Sequence, residues 1–203
     1  MKLNKNEWIL VVFNLAYILA FTIYYISINN YEFLIYILIL VLIFCLVLFT
    51  LKKSKFDSII LWGLSIWGLL HMAGGGVRID GATLYSMEII KLFNVGDTYV
   101  FKFDQFVHAF GFMVATLVGH HLLKPYLNEK TNYKVVYPLL VAIGMGLGAL
   151  NEIAEFIAVL TVQSTGVGGY FNTLLDIVFN TFGAVIAIII IHFRRKNKGG
   201  KNG

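Results

Sequence analysis

Charge and cysteine are both scarce in this chain. Of its 203 residues, 13% are charged and 59% are hydrophobic, whereas a soluble domain has about 25% charged and about 45–50% apolar residues. The single cysteine, Cys45, cannot form a disulfide within the chain and gives no information about the redox compartment. The composition therefore excludes an ordinary soluble domain and indicates a single membrane domain.

Several motifs that mark soluble enzymes are also absent. The sequence has no Gly-x-x-x-x-Gly-Lys-Ser/Thr and no suitably placed Gly-x-Gly-x-x-Gly, so it does not indicate a nucleotide-binding enzyme. It has no Gly-x-Ser-x-Gly, His-Glu-x-x-His or Cys-x-x-Cys. The net charge of +5 does not indicate a nucleic-acid partner, because the charges lie between apolar runs and at the C-terminus.

Long apolar runs are what the sequence has instead. Because a membrane-spanning helix needs about 20 largely apolar residues, we predict an all-α fold, an integral membrane bundle of six helices. The predicted helices cover residues 8–28, 33–51, 57–73, 104–123, 136–160 and 172–193. We expect residues 1–193 to form one transmembrane domain and residues 194–203 to form a basic, disordered cytoplasmic tail.

Lysine and arginine predict the orientation of this bundle in the cell membrane. Thirteen of the sixteen basic residues lie in the N-terminal tail, in the links after the second and fourth runs, or in the C-terminal tail. The other three lie in the long link between the third and fourth runs. The positive-inside rule therefore predicts cytoplasmic termini, with the links at 29–32, 74–103 and 161–171 facing outward.

The long outer link, residues 74–103, has three recognisable parts. Gly74, Gly75 and Gly76 suit a tight turn or a close backbone approach. Apolar residues at near-helical spacing in 84–93 predict a short surface helix. The segment 98–104 alternates like a strand but is too short to assign.

Polar residues divide the runs into two groups. The first two runs carry almost nothing costly to bury, so we expect them to pack or to face lipid. The last four runs carry ionisable groups, and the predicted topology brings all of these to a similar depth in the outer part of the bilayer. They are His71, Asp104, His108, Glu152, Glu155, Asp176 and Asn180.

Small residues continue the same helix faces toward the other end of the bundle. Gly144 and Gly148 lie below Glu152 on one stripe, and similar stripes occur on the fourth and sixth runs. Small residues let membrane helices approach closely. We therefore predict that the polar residues face one another in a chamber open to the outside, supported by closely packed helices.

Four carboxylates and two imidazoles in such a chamber predict a site for one or two divalent metal ions, of which zinc, iron or manganese suits these ligands. We expect Asp104, His108, Glu152 and Asp176 to be ligands, with His71 as a further candidate. Glu155 is the candidate general base, and Asn180 would contact the substrate or support a ligand. A proton relay and a structural hydrogen-bond network are the alternatives.

Four motifs carry a resemblance to a known family. They are "LHMAGGG" (70–76), "DQFVHAFGF" (104–112), "GLGALNEIAEF" (146–156) and "GGYFNTLLDIVFNTFGA" (168–184). Residues 57–193 resemble the YjdF-like family of small polytopic inner-membrane proteins and, more distantly, VanZ-like proteins, some of which are linked to glycopeptide resistance. Gln105 and Ala109 stand where the VanZ-like pattern usually has Lys and Phe. The resemblance implies a membrane site at these residues and no particular reaction.

The sequence leaves three functions open. The first is a metal-dependent hydrolase or transferase that acts on a lipid-linked envelope substrate, with membrane lipid as its other partner. The second is a small transporter or proton-coupled carrier, although no internal repeat is visible. The third is a non-catalytic membrane component of an envelope complex.

Overall fold

The computed structural model of the protein describes residues 3–95, 98–163 and 165–199. Within these residues it confirms the all-α architecture, because six helices are long and apolar enough to cross a membrane. They are α1 Lys5–Ser27, α2 Tyr31–Ser54, α3 Ser58–Gly76, α4 Phe103–Leu123, α5 Tyr133–Thr161 and α6 Tyr170–Gly199. Each predicted span falls on one of these helices.

Asparagine and aspartate side chains mark where several helices begin. Asn4 accepts a hydrogen bond from the backbone N–H of Glu7 at 2.9 Å, and Glu7 accepts one from the Asn4 N–H at 2.7 Å. The side chains of Asn30 and Asp57 accept backbone N–H groups at the starts of α2 and α3 in the same way. These caps accept hydrogen bonds from backbone amides that have no partner inside a helix, so the helices begin next to the polar links.

Successive helices run in opposite directions, which gives the bundle two ends. We call the end with the starts of α1, α3 and α5 the terminal end. There the carbonyl of Ser54 lies 2.8 Å from Nε2 of His121, which joins the ends of α2 and α4. We call the opposite end the hairpin end. There the Tyr24 hydroxyl donates to the carbonyl of Gly76 at 2.9 Å, which joins the ends of α1 and α3.

The prediction of a disordered tail after residue 193 was wrong for residues 194–199. Helix α6 continues to Gly199. The Arg195 guanidinium lies 3.2 Å above the centre of the Tyr133 ring and donates to the Tyr137 hydroxyl at 3.1 Å. These contacts with the start of α5 stabilise the basic segment.

Small residues lie where the helices approach most closely, as predicted. A side chain at Gly183 of α6 would overlap the backbone carbonyl of Ala109 in α4. A side chain at Gly144 of α5 would overlap Thr116 and Ala184. These glycines let α4, α5 and α6 pack with their backbones close together.

The long link between α3 and α4 differs from the prediction. It contains two antiparallel hairpins, β1 Arg78–Ile79 with β2 Ala82–Thr83, and β3 Glu88–Val95 with β4 Thr98–Lys102. Of residues 84–93, only Leu84–Ser86 are helical, in a short 3-10 helix, so the predicted helix over 84–93 was wrong. β-Branched residues such as Ile89 and Ile90 suit a strand, and pairing with β4 decides the outcome.

The three glycines at 74–76 form no turn, because α3 continues through them. Instead they allow aromatic rings to lie directly on the helix. A side chain at Gly75 would overlap the Phe33 ring, and one at Gly74 would overlap the Tyr85 ring. The predicted close approach is therefore made by side chains of α2 and of the link.

Candidate functional site

Helix α4 places three polar side chains at the hairpin end. Asp104 lies in its first turn, Gln105 is fully buried, and His108 lies one turn further with 7% of its surface exposed. Asp104 and His108 share a helix face because they are four residues apart. Oδ1 of Asp104 lies 3.7 Å from Nε2 of His108.

Helix α6 brings a carboxylate and an amide to the same histidine. Oδ1 of Asp176 lies 3.9 Å from Nε2 of His108, and Oδ1 of Asn180 lies 3.0 Å from Nδ1. Both side chains are 1% exposed. Gln105 and Asn172 donate hydrogen bonds to the Asp176 carboxylate at 2.9 and 2.7 Å, so both of its oxygens are held in place.

Helix α5 supplies two further carboxylates. Oε1 of Glu152 lies 3.9 Å from Nδ1 of His108. Glu155 is held by Asn151, whose amide donates to it at 2.9 Å. One turn below Glu152 is Gly148, where a side chain would overlap the Asn180 amide. This glycine therefore gives Asn180 the room to reach the imidazole.

The contact with Asn180 determines where a neutral His108 carries its proton. An amide oxygen can only accept, so the proton lies on Nδ1, and Nε2 keeps a free lone pair. That lone pair is on the side of Asp104 and Asp176. Histidine ligands of metals usually have one nitrogen fixed by an acceptor in this way, with the other free to coordinate.

Two overlapping sets of residues could hold a metal ion. The first is Asp104, His108 and Asp176, and the second is His108, Glu152 and Glu155. In each set the potential ligand atoms lie within 4.8 Å of one another. Nitrogen and oxygen ligands bind zinc at about 2.0–2.2 Å, so ligand atoms around one ion are separated by at most about 4 Å. The upper limit of 4.8 Å in each set is therefore slightly larger than the separation around a bound ion.

Within the described residues, the carboxylates of this cluster lack a lysine or arginine partner, and two of its buried atoms lack a hydrogen-bond partner. Among the described residues, no lysine or arginine forms an ion pair with its carboxylates; the ion pairs present all involve His108. Oε1 of Glu152 and Nδ2 of Asn180 are buried and find no hydrogen-bond partner within the described part of the chain. Buried polar atoms normally have a partner, so this cluster has the charge and the free atoms to bind a cation or a polar ligand.

His71 is the one predicted metal ligand outside both sets. Its Nδ1 lies 2.5 Å from the hydroxyl of Tyr85, and its ring stacks on Trp67. Burial, together with the Asp104 and Glu155 carboxylates, raises the pKa of Tyr85 well above its ordinary value. The hydroxyl therefore stays protonated and donates to the His71 carbonyl at 2.9 Å. This contact fixes the long link against α3, and a ligand role for His71 stays a prediction.

The sequence reasoning missed two amides that organise the carboxylates. Gln105 donates to Asp176 and also approaches Asp104 at 3.4 Å, while Asn172 donates to both aspartates. Gln105 was noted only as a departure from the VanZ-like pattern. The available signal was its place beside Asp104 in an apolar run, since a buried amide needs a partner.

The first two helices bury a few polar side chains, one of which the prediction had placed in the link at 29–32. Glu32 of α2 is 6% exposed, accepts the Gly166 N–H at 2.6 Å and lies 3.3 Å from the Tyr36 hydroxyl. Asn14 of α1 is buried and donates to Ser65 of α3 at 2.7 Å. The first two helices are therefore joined to the rest of the bundle by polar contacts.

The comparison with known families agrees with this structure. Residues 9–197 match the family model described as predicted membrane protein, DUF2238. The chain belongs to this family. Searches among curated proteins and among solved structures found no significant match. The match establishes a multi-pass membrane protein with six candidate spanning helices, and its activity has to be argued from the site itself.

Proposed function

We propose that this protein is a metal-dependent hydrolase or transferase whose site at the hairpin end acts on a lipid-linked substrate at the outer face of the cell membrane. Both termini would lie in the cytoplasm, because thirteen of the sixteen basic residues belong to the terminal end or the two tails. The more distant likeness to VanZ-like proteins, carried by Asp104 and His108, fits a role in the envelope.

A single observation supports this proposal most strongly. The Asn180 contact leaves the His108 lone pair at Nε2, and that nitrogen is the one near Asp104 and Asp176. One imidazole nitrogen with two carboxylates matches the ligand chemistry of zinc, iron or manganese. A purely structural hydrogen-bond network would not need four carboxylates around one imidazole without a basic partner.

The chain's own residues then have distinct roles. His108, Asp104 and Asp176 would hold the cation, while Gln105 and Asn172 orient the two aspartates. Glu152 lies on the Nδ1 side of the imidazole. Glu155 is the candidate general base and would accept a proton from the attacking water or alcohol as the leaving group departs. A bound divalent ion would polarise a phosphoryl or acyl group.

The first experiment is elemental analysis of the purified protein in detergent. We expect close to one zinc, iron or manganese per chain in the wild type, and its loss in His108→Ala and Asp176→Asn. Glu152→Gln tests the second set of ligands, and we expect it to retain metal because Glu152 faces the protonated nitrogen.

His192→Ala is the matched control, since His192 lies at the terminal end beside Tyr137. It should bind as much metal as the wild type. A folded wild type without metal would contradict the proposal and favour a proton-titrating network. Retention of metal in His108→Ala would show that the ion lies elsewhere.

A further inference from the structure

A large groove lies below the site, between α2, α3, α4 and α5. Its volume is about 870 Å³, toward the upper part of the about 300–1,000 Å³ range of ligand pockets. Along α2 its wall runs from Tyr36 to Ser54, which at 1.5 Å per residue is about 27 Å. The groove is therefore nearly as long as the hydrocarbon core of a bilayer, which is about 30 Å thick.

Polar groups occur mainly at the two ends of this groove. His71, Asn151 and Glu155 line it at the hairpin end, where Glu155 belongs to the candidate metal cluster. Lys53 and His121 line it at the terminal end. The wall between them is largely aliphatic and aromatic. This distribution matches a lipid, with a polar head at one end and a long apolar chain.

The groove opens sideways toward the membrane. Leu46 of α2 and Leu150 of α5 both line it and are 64% and 60% exposed. Helix α2 packs mainly on α1 and α3, and it meets α5 near the hairpin end, where Ala158 joins the cluster that contains Tyr36. A hydrocarbon chain could therefore pass between α2 and α5 from the surrounding lipid.

The length of the groove narrows the choice of occupant. The length argues against an ordinary leaflet lipid, because each leaflet contributes only about half of the roughly 30 Å core.

We propose that this groove binds the chain of a long single-chain lipid, longer than one leaflet, with its head group at Glu155 and the His108 cluster. The inference rests on the proposed function for the choice of the head-group end, and it names the substrate class of that site. The chain enters between α2 and α5 and extends toward Lys53. A bound cation would hold an anionic head, such as a phosphate, among the carboxylates.

Native mass spectrometry of the full-length protein in detergent tests the groove without depending on the metal. The probes are a short and a long polyprenol, whose neutral heads need no cation. We expect the long polyprenol to bind at least about tenfold more tightly than the short one, because each buried methylene adds affinity. Ala115→Phe and Leu147→Trp, both in the groove wall, should each abolish this preference.

Ala142→Phe is the matched control, because Ala142 is exposed on α5 outside the groove. It should bind the long polyprenol like the wild type, and Ala115→Phe should keep its metal. Equal affinity for both polyprenols, unchanged binding in both groove variants, or a lipid-free dimer would overturn the inference. If the protein bound the long polyprenol but no metal, the groove inference would stand and the proposed metal chemistry would fall. If it bound metal but no polyprenol, the groove inference would fall and the metal chemistry would stand.

Discussion

His108 organises the site because its two ring nitrogens face different partners. Asn180 fixes one nitrogen, and Asp104 and Asp176 lie near the other. Asn180 can reach the ring only because residue 148 on the neighbouring helix is glycine. A packing residue on α5 therefore controls which nitrogen of a histidine on α4 is free to coordinate.

Gln105 provides a residue-scale test of how the aspartates are positioned. In Gln105→Ala, Asp176 Oδ1 loses the donor that holds it at 2.9 Å. Loss of such a supporting contact typically lowers metal affinity about 10–100-fold. We expect a decrease of this size, measured by competition with a chelator.

Gln163→Ala is the control for this substitution, since Gln163 is exposed in the link between α5 and α6. It should leave the affinity unchanged. If Gln105→Ala bound metal as tightly as Gln163→Ala, the aspartates would not depend on Gln105 and the first ligand set would lose support.

The charged residues that the structure brings together, and Asn180, could be chosen from the sequence, whereas Gln105 and Asn172 were missed. Asp104 and His108 are costly in a membrane and lie four residues apart, so position alone indicated a shared site. Neither Gln105 nor Asn172 carries a charge; Gln105 lies next to Asp104 instead of four residues from it, and Asn172 lies four residues before Asp176. Their roles depend on contacts between α4 and α6, which sequence distance does not reveal.

At the scale of helices, the crossing of α4 and α6 determines how close the site residues of α4 come to those of α6. Gly183 lies against the backbone of Ala109 and Met113. It is one turn after Asn180 on α6, and Ala109 directly follows His108 on α4. Backbone atoms cannot move aside as a flexible side chain can. The position of Asp176 relative to His108 therefore depends on this contact.

We predict that Gly183→Ala destabilises the protein by at least about 1–3 kcal/mol, the usual cost of overpacking. The apparent Tm in detergent should fall by several degrees. Gly146→Ala is the matched control, because nothing lies within 4 Å of a side chain there. It should keep the wild-type Tm, and equal Tm values for the two variants would contradict the close crossing.

The link between α3 and α4 shows why some elements could not be predicted. Its first hairpin has a local sequence signal, the Asp80-Gly81 pair, which favours a type I′ turn. Both residues have the positive φ that this turn requires. The second hairpin pairs Glu88 with Lys102. Its partner strand lies outside the segment 84–93, so the apolar spacing within that segment alone indicated a helix instead.

At the scale of the whole molecule, the site and the groove together favour the hydrolase or transferase over the proton-coupled carrier. A proton-coupled carrier needs polar groups along its path, whereas the groove between Glu155 and His121 is walled largely by residues such as Leu64, Val118 and Leu147. Such a wall suits a hydrocarbon chain. The depth of the polar cluster near one end also differs from the midplane sites of many transporters.

The orientation of the molecule decides which compartment supplies the substrate, and the single Cys45 makes it testable. In a Cys45→Ser background, a membrane-impermeant maleimide applied to intact cells should label Ala82→Cys, which is exposed in β2 at the hairpin end. Glu129→Cys, exposed between α4 and α5, should react only after permeabilisation. The background variant should stay unlabelled. The reverse pattern would place the His108 cluster on the cytoplasmic side, which would exclude an envelope substrate while leaving the metal site and the groove to be tested unchanged.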